Sequence, residues 1–258
     1  MGTPAFAVPT LLKLHETGYT IPAVITATDK YGGRGKKELL QSAVKVAAVN
    51  LNIPVIQPLN LKDESFIEEI KKLRSDLFIV VAFRMLPEIL WSLPPLGTIN
   101  LHGSLLPDYR GAAPINWAII NGENKTGVTT FFIRKEIDTG PIIKSSSISI
   151  FPEDNAGTLH DKLMYLGADL VVESLKLIVN PTFKGLPQTQ DAIKTAPKLI
   201  HETGKIDFSK TSMEIINLIR GLSPYPCAWF ETKIGDIKVF AATHGKQNQV
   251  KFESNGLL

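Results

Sequence analysis

The stretch Asn100-Leu101-His102-Gly103-Ser104-Leu105-Leu106-Pro107 places an amide and an imidazole two residues apart, at the end of a segment that reads as a strand. Residues i and i+2 of a strand point to the same face. Asn100 and His102 can therefore reach into one pocket together. The amide serves as a hydrogen-bond donor, and the imidazole as a proton handler. The glycine and Leu-Leu-Pro turn that follow fit a loop rimming a cleft. A third polar side chain, Asp138, comes later in Glu136-Ile137-Asp138-Thr139-Gly140-Pro141. Taken singly, each residue has a plainer explanation. Asn100 could cap a turn, His102 could be a satisfied core or surface histidine, and Asp138 could merely open a tight loop.

The elements that must position these groups follow from hydrophobic periodicity. Helices are expected over Pro4–His15, Glu38–Leu51, Asp63–Leu73, Pro114–Asn121, Gly157–Val179 and Ser212–Arg220. Strands are expected over Tyr19–Ala27, Pro54–Ile56, Asp76–Ala82, Gly97–His102, Gly127–Ile133, Ile142–Ile150, Ala228–Glu231 and Ile237–Ala241. Thr28–Lys37 reads as a Gly-rich basic loop. Alternation of strand and helix over the first ~180 residues argues an α/β domain with a largely parallel sheet. Asp76–Ala82 is almost wholly apolar, as a strand buried on both faces should be. Thr182–Pro197 has Pro, Gly, Gln and Thr with little periodicity and reads as a linker.

Composition narrows the classes. Twenty-eight basic residues against 25 acidic ones give +3, a bias compatible with a nucleic-acid partner without demanding one. The local distribution says more: Lys30 to Lys37 holds four positive charges and no negative one. Cys227 is the single cysteine, which rules out an internal disulfide and fits a reducing cytoplasm. No apolar run reaches the ~18 residues of a membrane span, and no basic region followed by an apolar stretch marks a signal peptide. The five histidines are dispersed, with no His-Glu-x-x-His or Cys-x-x-Cys, so no metal site is expected. No Gly-x-Ser-x-Gly elbow supports a hydrolase triad. The Gly33–Lys37 loop is not a P-loop.

Asn-x-His-x-Ser-Leu-Leu-Pro with a later Asp-x-Gly resembles the active site of the folate-dependent formyltransferases. Tyr109-Arg110-Gly111-Ala112-Ala113-Pro114-Ile115 is similar to the branch that acts on aminoacylated tRNA. Met1-Gly2-Thr3-Pro4-Ala5-Phe6-Ala7-Val8-Pro9 resembles that branch's first loop, and Gly33-Arg34-Gly35-Lys36-Lys37 its basic tRNA-contacting loop. Weaker similarity runs through Asp161-Lys162-Leu163 and Ile206-Asp207-Phe208 to Pro224-Tyr225-Pro226.

The resemblance implies formyl transfer from 10-formyltetrahydrofolate, a co-substrate, to the amino group of methionine on initiator tRNA, by a monomer with no metal. Asn100 would donate to the developing oxyanion, His102 would relay the proton, and Asp138 would orient His102. Ser104, Leu105, Leu106 and Pro107 would hold the folate, and Arg34, Lys36 and Lys37 would contact tRNA. The implied organisation is a Rossmann-like formyltransferase domain over 1–181, a linker over 182–205 and an OB-like barrel over 206–258. Five barrel strands need roughly 70–100 residues, whereas 53 run from Ile206 to Leu258, so the barrel is expected to be incomplete. The family's short apolar strand ahead of the Gly2-Thr3-Pro4 turn is likewise expected to be missing. Ala82-Phe83-Arg84-Met85-Leu86-Pro87 departs from the family's Ala-Tyr-Gly pattern, which makes Arg84 a candidate pocket residue only. The rivals are a formyltransferase acting on a sugar-nucleotide amine or glycinamide ribonucleotide, and an inactive RNA-binding fragment.

Overall fold

Pro9 lies in the first turn of helix α1 (Val8–Glu16), where its missing N–H costs nothing, and Gly18 at φ +80° lets the chain turn away past its end. The structure, a computed structural model, describes residues 1–32, 35, 37–180, 182–189 and 194–245, and the backbone of 250–253. Strand β1 (Val24–Ile25) follows, then a hairpin of β2 (Lys30–Gly32) and β3 (Glu38–Leu40). Helix α2 (Ala43–Asn50) starts behind Ser42, whose hydroxyl accepts from the Lys45 N–H at 3.0 Å. After β4 (Val55–Ile56), Asp63 caps α3 (Glu64–Lys72) by accepting from the Ser65 N–H at 2.9 Å. Helix α3 then buries Phe66, Ile67 and Ile70 on one face.

Strand β5 (Phe78–Val81), the short helix α4 (Glu88–Trp91) and strand β6 (Thr98–His102) complete the first run of alternation. Strands β5 and β6 pair in parallel, as do β1 and β4. Beyond β7 (Arg110–Gly111) and α5 (Pro114–Ile120), strands β8 (Lys125–Phe132) and β9 (Ile142–Ser149) extend a four-stranded sheet in the order β5-β6-β8-β9. Helix α6 (Ala156–Ile178) follows. The α/β class with a largely parallel sheet is therefore what the chain adopts.

Two compact units divide the chain: residues 1–102, 128–146 and 164–188, and residues 103–127, 147–163 and 189–258. In the first, Gly2 bridges the two parallel pairs. Its N–H donates to Ile25 O at 3.1 Å, and the Val81 N–H donates to Met1 O at 2.9 Å. Beside this bridge a cavity of about 400 Å³, lined by Met1, Leu11, Leu14, Val24, Phe78 and Ile79, lies between β1 and β5. Ile25, Phe66, Ile70, Phe78, Val80 and Leu90 form the core on which α3 and α4 pack. The roots of the β2–β3 hairpin are tied to this body. Asp29 accepts from Lys45 Nζ on α2 and from Gln57 Nε2 at 2.8 Å, and the hydroxyls of Thr26 and Ser42 are 2.7 Å apart.

In the second unit, strand β10 (Thr195–Ala196) pairs in parallel with β7. Thr211 and Glu214 form a reciprocal capping box at the start of helix α7 (Ser212–Leu222). Strands β11 (Ala228–Thr232) and β12 (Gly235–Val239) form one antiparallel hairpin, and β13 (Ala241–His244) and β14 (Val250–Glu253) another. Ile206, Ile215, Ile219, Leu222, Ala228 and Val239 make a core shared by α7 and the β11–β12 hairpin.

Asp154 gives this unit a pH dependence. Its side chain, 3% exposed, takes two bonds from Lys162 Nζ at 2.6 and 2.9 Å and one from the Phe151 N–H at 2.9 Å. Burial alone would raise its pKa, but these donors outweigh burial and hold it below the ordinary carboxylate value. A depressed folded-state pKa contributes stability above the unfolded value of about 3.9, lost as pH falls through the folded value. The stability gap between the native chain and Asp154→Asn, measured by urea unfolding, should be large at pH 7 and shrink towards pH 3. A gap independent of pH would contradict this account.

Three expectations need correction. Glu38–Leu51 is not one helix, because Glu38–Leu40 pairs with Lys30–Gly32 and the helix starts only at the Ser42 cap. The strand expected over Tyr19–Ala27 is reduced to Val24–Ile25, since Pro22 cannot donate to a ladder and Tyr19 and Thr20 are exposed. The stretch read as a linker contains two pairings, Leu186 with Ile142 and β10 with β7. No helix among the described residues is long and apolar enough to cross a membrane.

Candidate active site

Strand β6 sorts its side chains by parity. Leu101 faces α6, where a Cβ added to Gly167 would lie 2.6 Å from a Leu101 methyl. Asn100 and His102 face the other way, as their spacing requires. Antiparallel pairing puts Phe131 opposite Asn100 and Thr129 opposite His102. Directly opposed residues share a face. The His102 ring consequently meets the Phe131 ring edge-on, with centroids 6.4 Å apart. His102 is 6% exposed and Asn100 is half-buried. This wall restrains the imidazole while the amide beside it stays accessible.

Asp138 arrives from the loop joining β8 to β9. That loop is closed at its base by the Phe132 N–H donating to Pro141 O at 3.0 Å. Asp138 has φ +54°, a left-handed conformation that aspartate tolerates better than most residues. Its Oδ2 lies 3.8 Å from His102 Nδ1. This is ion-pair range, beyond ordinary hydrogen-bond length. Gly140 is buried, and a Cβ there would land on the Phe132 carbonyl oxygen. Asn100, His102 and Asp138, separated by 38 residues of sequence, thus belong to one constellation within the first unit.

Gln188 was not singled out from sequence. Its Nε2 donates to Asp138 O at 3.0 Å and to Gly140 O at 2.8 Å. No periodicity marks it. The nearest signal is the Gly185-Leu186-Pro187 punctuation just before it.

Ser104–Pro107 lie in the second unit. Ser104 is fully buried and donates from Oγ to Asp108 O at 2.7 Å. Leu106 is buried, Leu105 and Pro107 are half-buried, and the Leu106–Pro107 peptide is cis. The turn continues into Tyr109 at φ +60°, whose hydroxyl donates to Glu123 Oε1 at 2.5 Å. Burial and then the Glu123 carboxylate push the Tyr109 pKa up. Burial would raise Glu123 too, but Lys194 at 2.5 Å and Tyr109 bring it below the usual value. Gly111 makes room for Ala196 O and takes φ +125°.

Arg34 and Lys36 lie outside the described residues. Lys37 is exposed directly ahead of β3. Arg84 is exposed and donates to the carbonyls of Pro58 and Leu59, at 3.0 Å for Leu59, which turns it away from the role of a pocket side chain. Among the described residues no group of three or more His, Cys, Asp or Glu gathers as metal ligands would.

Acyl transfer to an amine calls for an oxyanion donor, a proton acceptor and a group to orient that acceptor, and the first unit holds all three kinds. The chain belongs to the formyl transferase family: the family's pattern matches residues 1–175, and that of its C-terminal domain matches residues 198–256. Among its relatives is a methionyl-tRNA formyltransferase from Flavobacterium johnsoniae, 57% identical over 89% of this chain and 73% of that protein. Another from Flavobacterium psychrophilum is 52% identical over 95% of this chain and 80% of that protein. Among solved structures, an N-formyltransferase from Helicobacter canadensis in complex with folinic acid and dTDP-3-aminofucose superposes with a TM-score of 0.71. It is 26% identical and covers 94% of this chain and 85% of its own.

Proposed function

We propose that this chain transfers the formyl group of 10-formyltetrahydrofolate to the free amino group of methionyl-tRNA, as a monomer in the cytoplasm. The observation that carries the reading is the Asn100–His102 face with Asp138 at 3.8 Å, in a chain 57% identical to a methionyl-tRNA formyltransferase. The amino nitrogen attacks the formyl carbon, and a new C–N bond forms. The bond from that carbon to the folate nitrogen breaks. One proton leaves the attacking nitrogen, and one is taken up by the departing folate nitrogen.

Asn100 donates to the formyl oxygen as it gains charge. His102 accepts the proton from the amine and is placed to return it to the leaving nitrogen. Asp138 keeps the imidazole oriented. Ser104–Pro107 hold the folate. Arg34, Lys36 and Lys37 meet the tRNA, where their charges pair with phosphates and bind less well at high salt.

Transfer of labelled formyl to Met-tRNA tests the reading, with a dTDP-amino sugar and a no-acceptor reaction as controls. Formyl on the sugar alone would favour the second reading, which the likeness to the Helicobacter canadensis enzyme motivates. Asn100→Ala should lower kcat by roughly 10²–10³, the worth of one oxyanion donor, with little change in KM. A rise in KM at unchanged kcat would make Asn100 a binding group instead.

A further inference from the structure

We propose that Gln188 is a positioning residue for the reaction: its side-chain amide holds the Asp138–Gly140 loop so that the carboxylate stays beside His102. The inference rests on the reading that Asp138 and His102 serve formyl transfer.

Three observations carry it. First, the two hydrogens of one amide go to two carbonyls of one loop, Asp138 O at 3.0 Å and Gly140 O at 2.8 Å. These carbonyls belong to the Asp138–Thr139 and Gly140–Pro141 peptides, so the bonds hold two peptide planes of the turn. Second, Gln188 is itself held in register. Leu186 and Ile142 exchange both backbone bonds at 2.7 Å, two residues before Gln188 and just past the loop's own base. Gly185 at φ +74° permits this, since a Cβ there would sit 2.8 Å from Ile142 O. Third, Asp138 sits at φ +54° and its carboxylate is only at ion-pair distance from His102. A small rotation of this turn would carry the carboxylate away from the imidazole. Neither a hydrophobic side chain nor a carboxylate at position 188 could donate to the two carbonyls.

The test uses the full chain with Gln188→Met, which keeps length and removes both donors, and Gln188→Glu, which replaces donors with acceptors. If one fails to fold, the other carries the test. Each should lower kcat roughly 10- to 100-fold, the scale of a small misplacement of a catalytic group, with KM for folate and for Met-tRNA little changed. Combined with Asp138→Asn, neither should cause further loss, because the role of Gln188 runs through Asp138. The Cε1 proton resonance of His102 should move in Gln188→Met towards its position in Asp138→Asn. An additive loss in the double variant, or an unmoved His102 resonance, would overturn the proposal. If the native chain formylates neither acceptor, the reading of function fails, while the resonance still decides what Gln188 does to the pair.

Discussion

His102→Ala lowers kcat for formyl transfer to Met-tRNA by roughly 10²–10⁴, the contribution of a placed general base. The attacking amine must lose its proton as the new C–N bond forms. Of the three side chains gathered on and against β6, the imidazole is the one suited to take that proton, since an amide is no base and a carboxylate is a weak one. Phe131 restrains the ring on one side, and Asp138 stands 3.8 Å from its Nδ1. Because His102 is 6% exposed, its removal also empties space in the sheet face. His102→Gln, which fills more of that space and cannot take the proton, should lose about as much activity as His102→Ala while unfolding at nearly the native temperature. Near-native turnover in either variant, measured with labelled formyl and purified Met-tRNA, would sink the role of His102.

The second large effect is expected from Gly140→Ala. This glycine is buried, and an added Cβ would fall on the Phe132 carbonyl oxygen, 2.9 Å from the carbonyl carbon and 3.2 Å from Arg134 Cγ. The obstacle is mostly backbone in a sheet strand, so a rotamer change cannot relieve it. Overpacking of this kind costs about 3 kcal/mol or more, a Tm drop of roughly 6–12 °C in a chain of this size. The alternative to unfolding is for the loop to shift, which would carry Asp138 with it and lower kcat. Gly18→Ala makes the contrast. That glycine has φ +80° but nothing within 4 Å of an added Cβ, so only the backbone strain of about 1–2 kcal/mol applies. Equal Tm losses in the two variants would contradict the steric account.

The sequence carried the strand that presents Asn100 and His102, because side chains two apart on a strand share a face. It also carried the helices that begin at Asp63 and Ser212, whose capping partners lie within three residues. Contacts between distant segments were harder to read. Asp138 reaches His102 through a left-handed turn, and spacing alone does not show where such a turn aims its side chain. Gln188 lies 50 residues from the loop it bonds, in a stretch without period. Strands β2 and β3 escaped notice because Tyr31, Leu39 and Leu40 are exposed, leaving no buried face to imprint an alternating pattern. The two-residue strands β7 and β10 are too short to show any period and exist only as a pair.

The doubly tied hairpin has a mechanical consequence. Three-residue strands rising about 3.3 Å per residue carry Gly32 and Glu38 roughly 10 Å from the roots. At the roots, Asp29 is fastened to Lys45 and Gln57, and Thr26 to Ser42. Such an arm works as a lever with a clamped fulcrum. A load on Lys37 is carried through β3 into α2 and the end of β4, so it is felt in the body of the first unit.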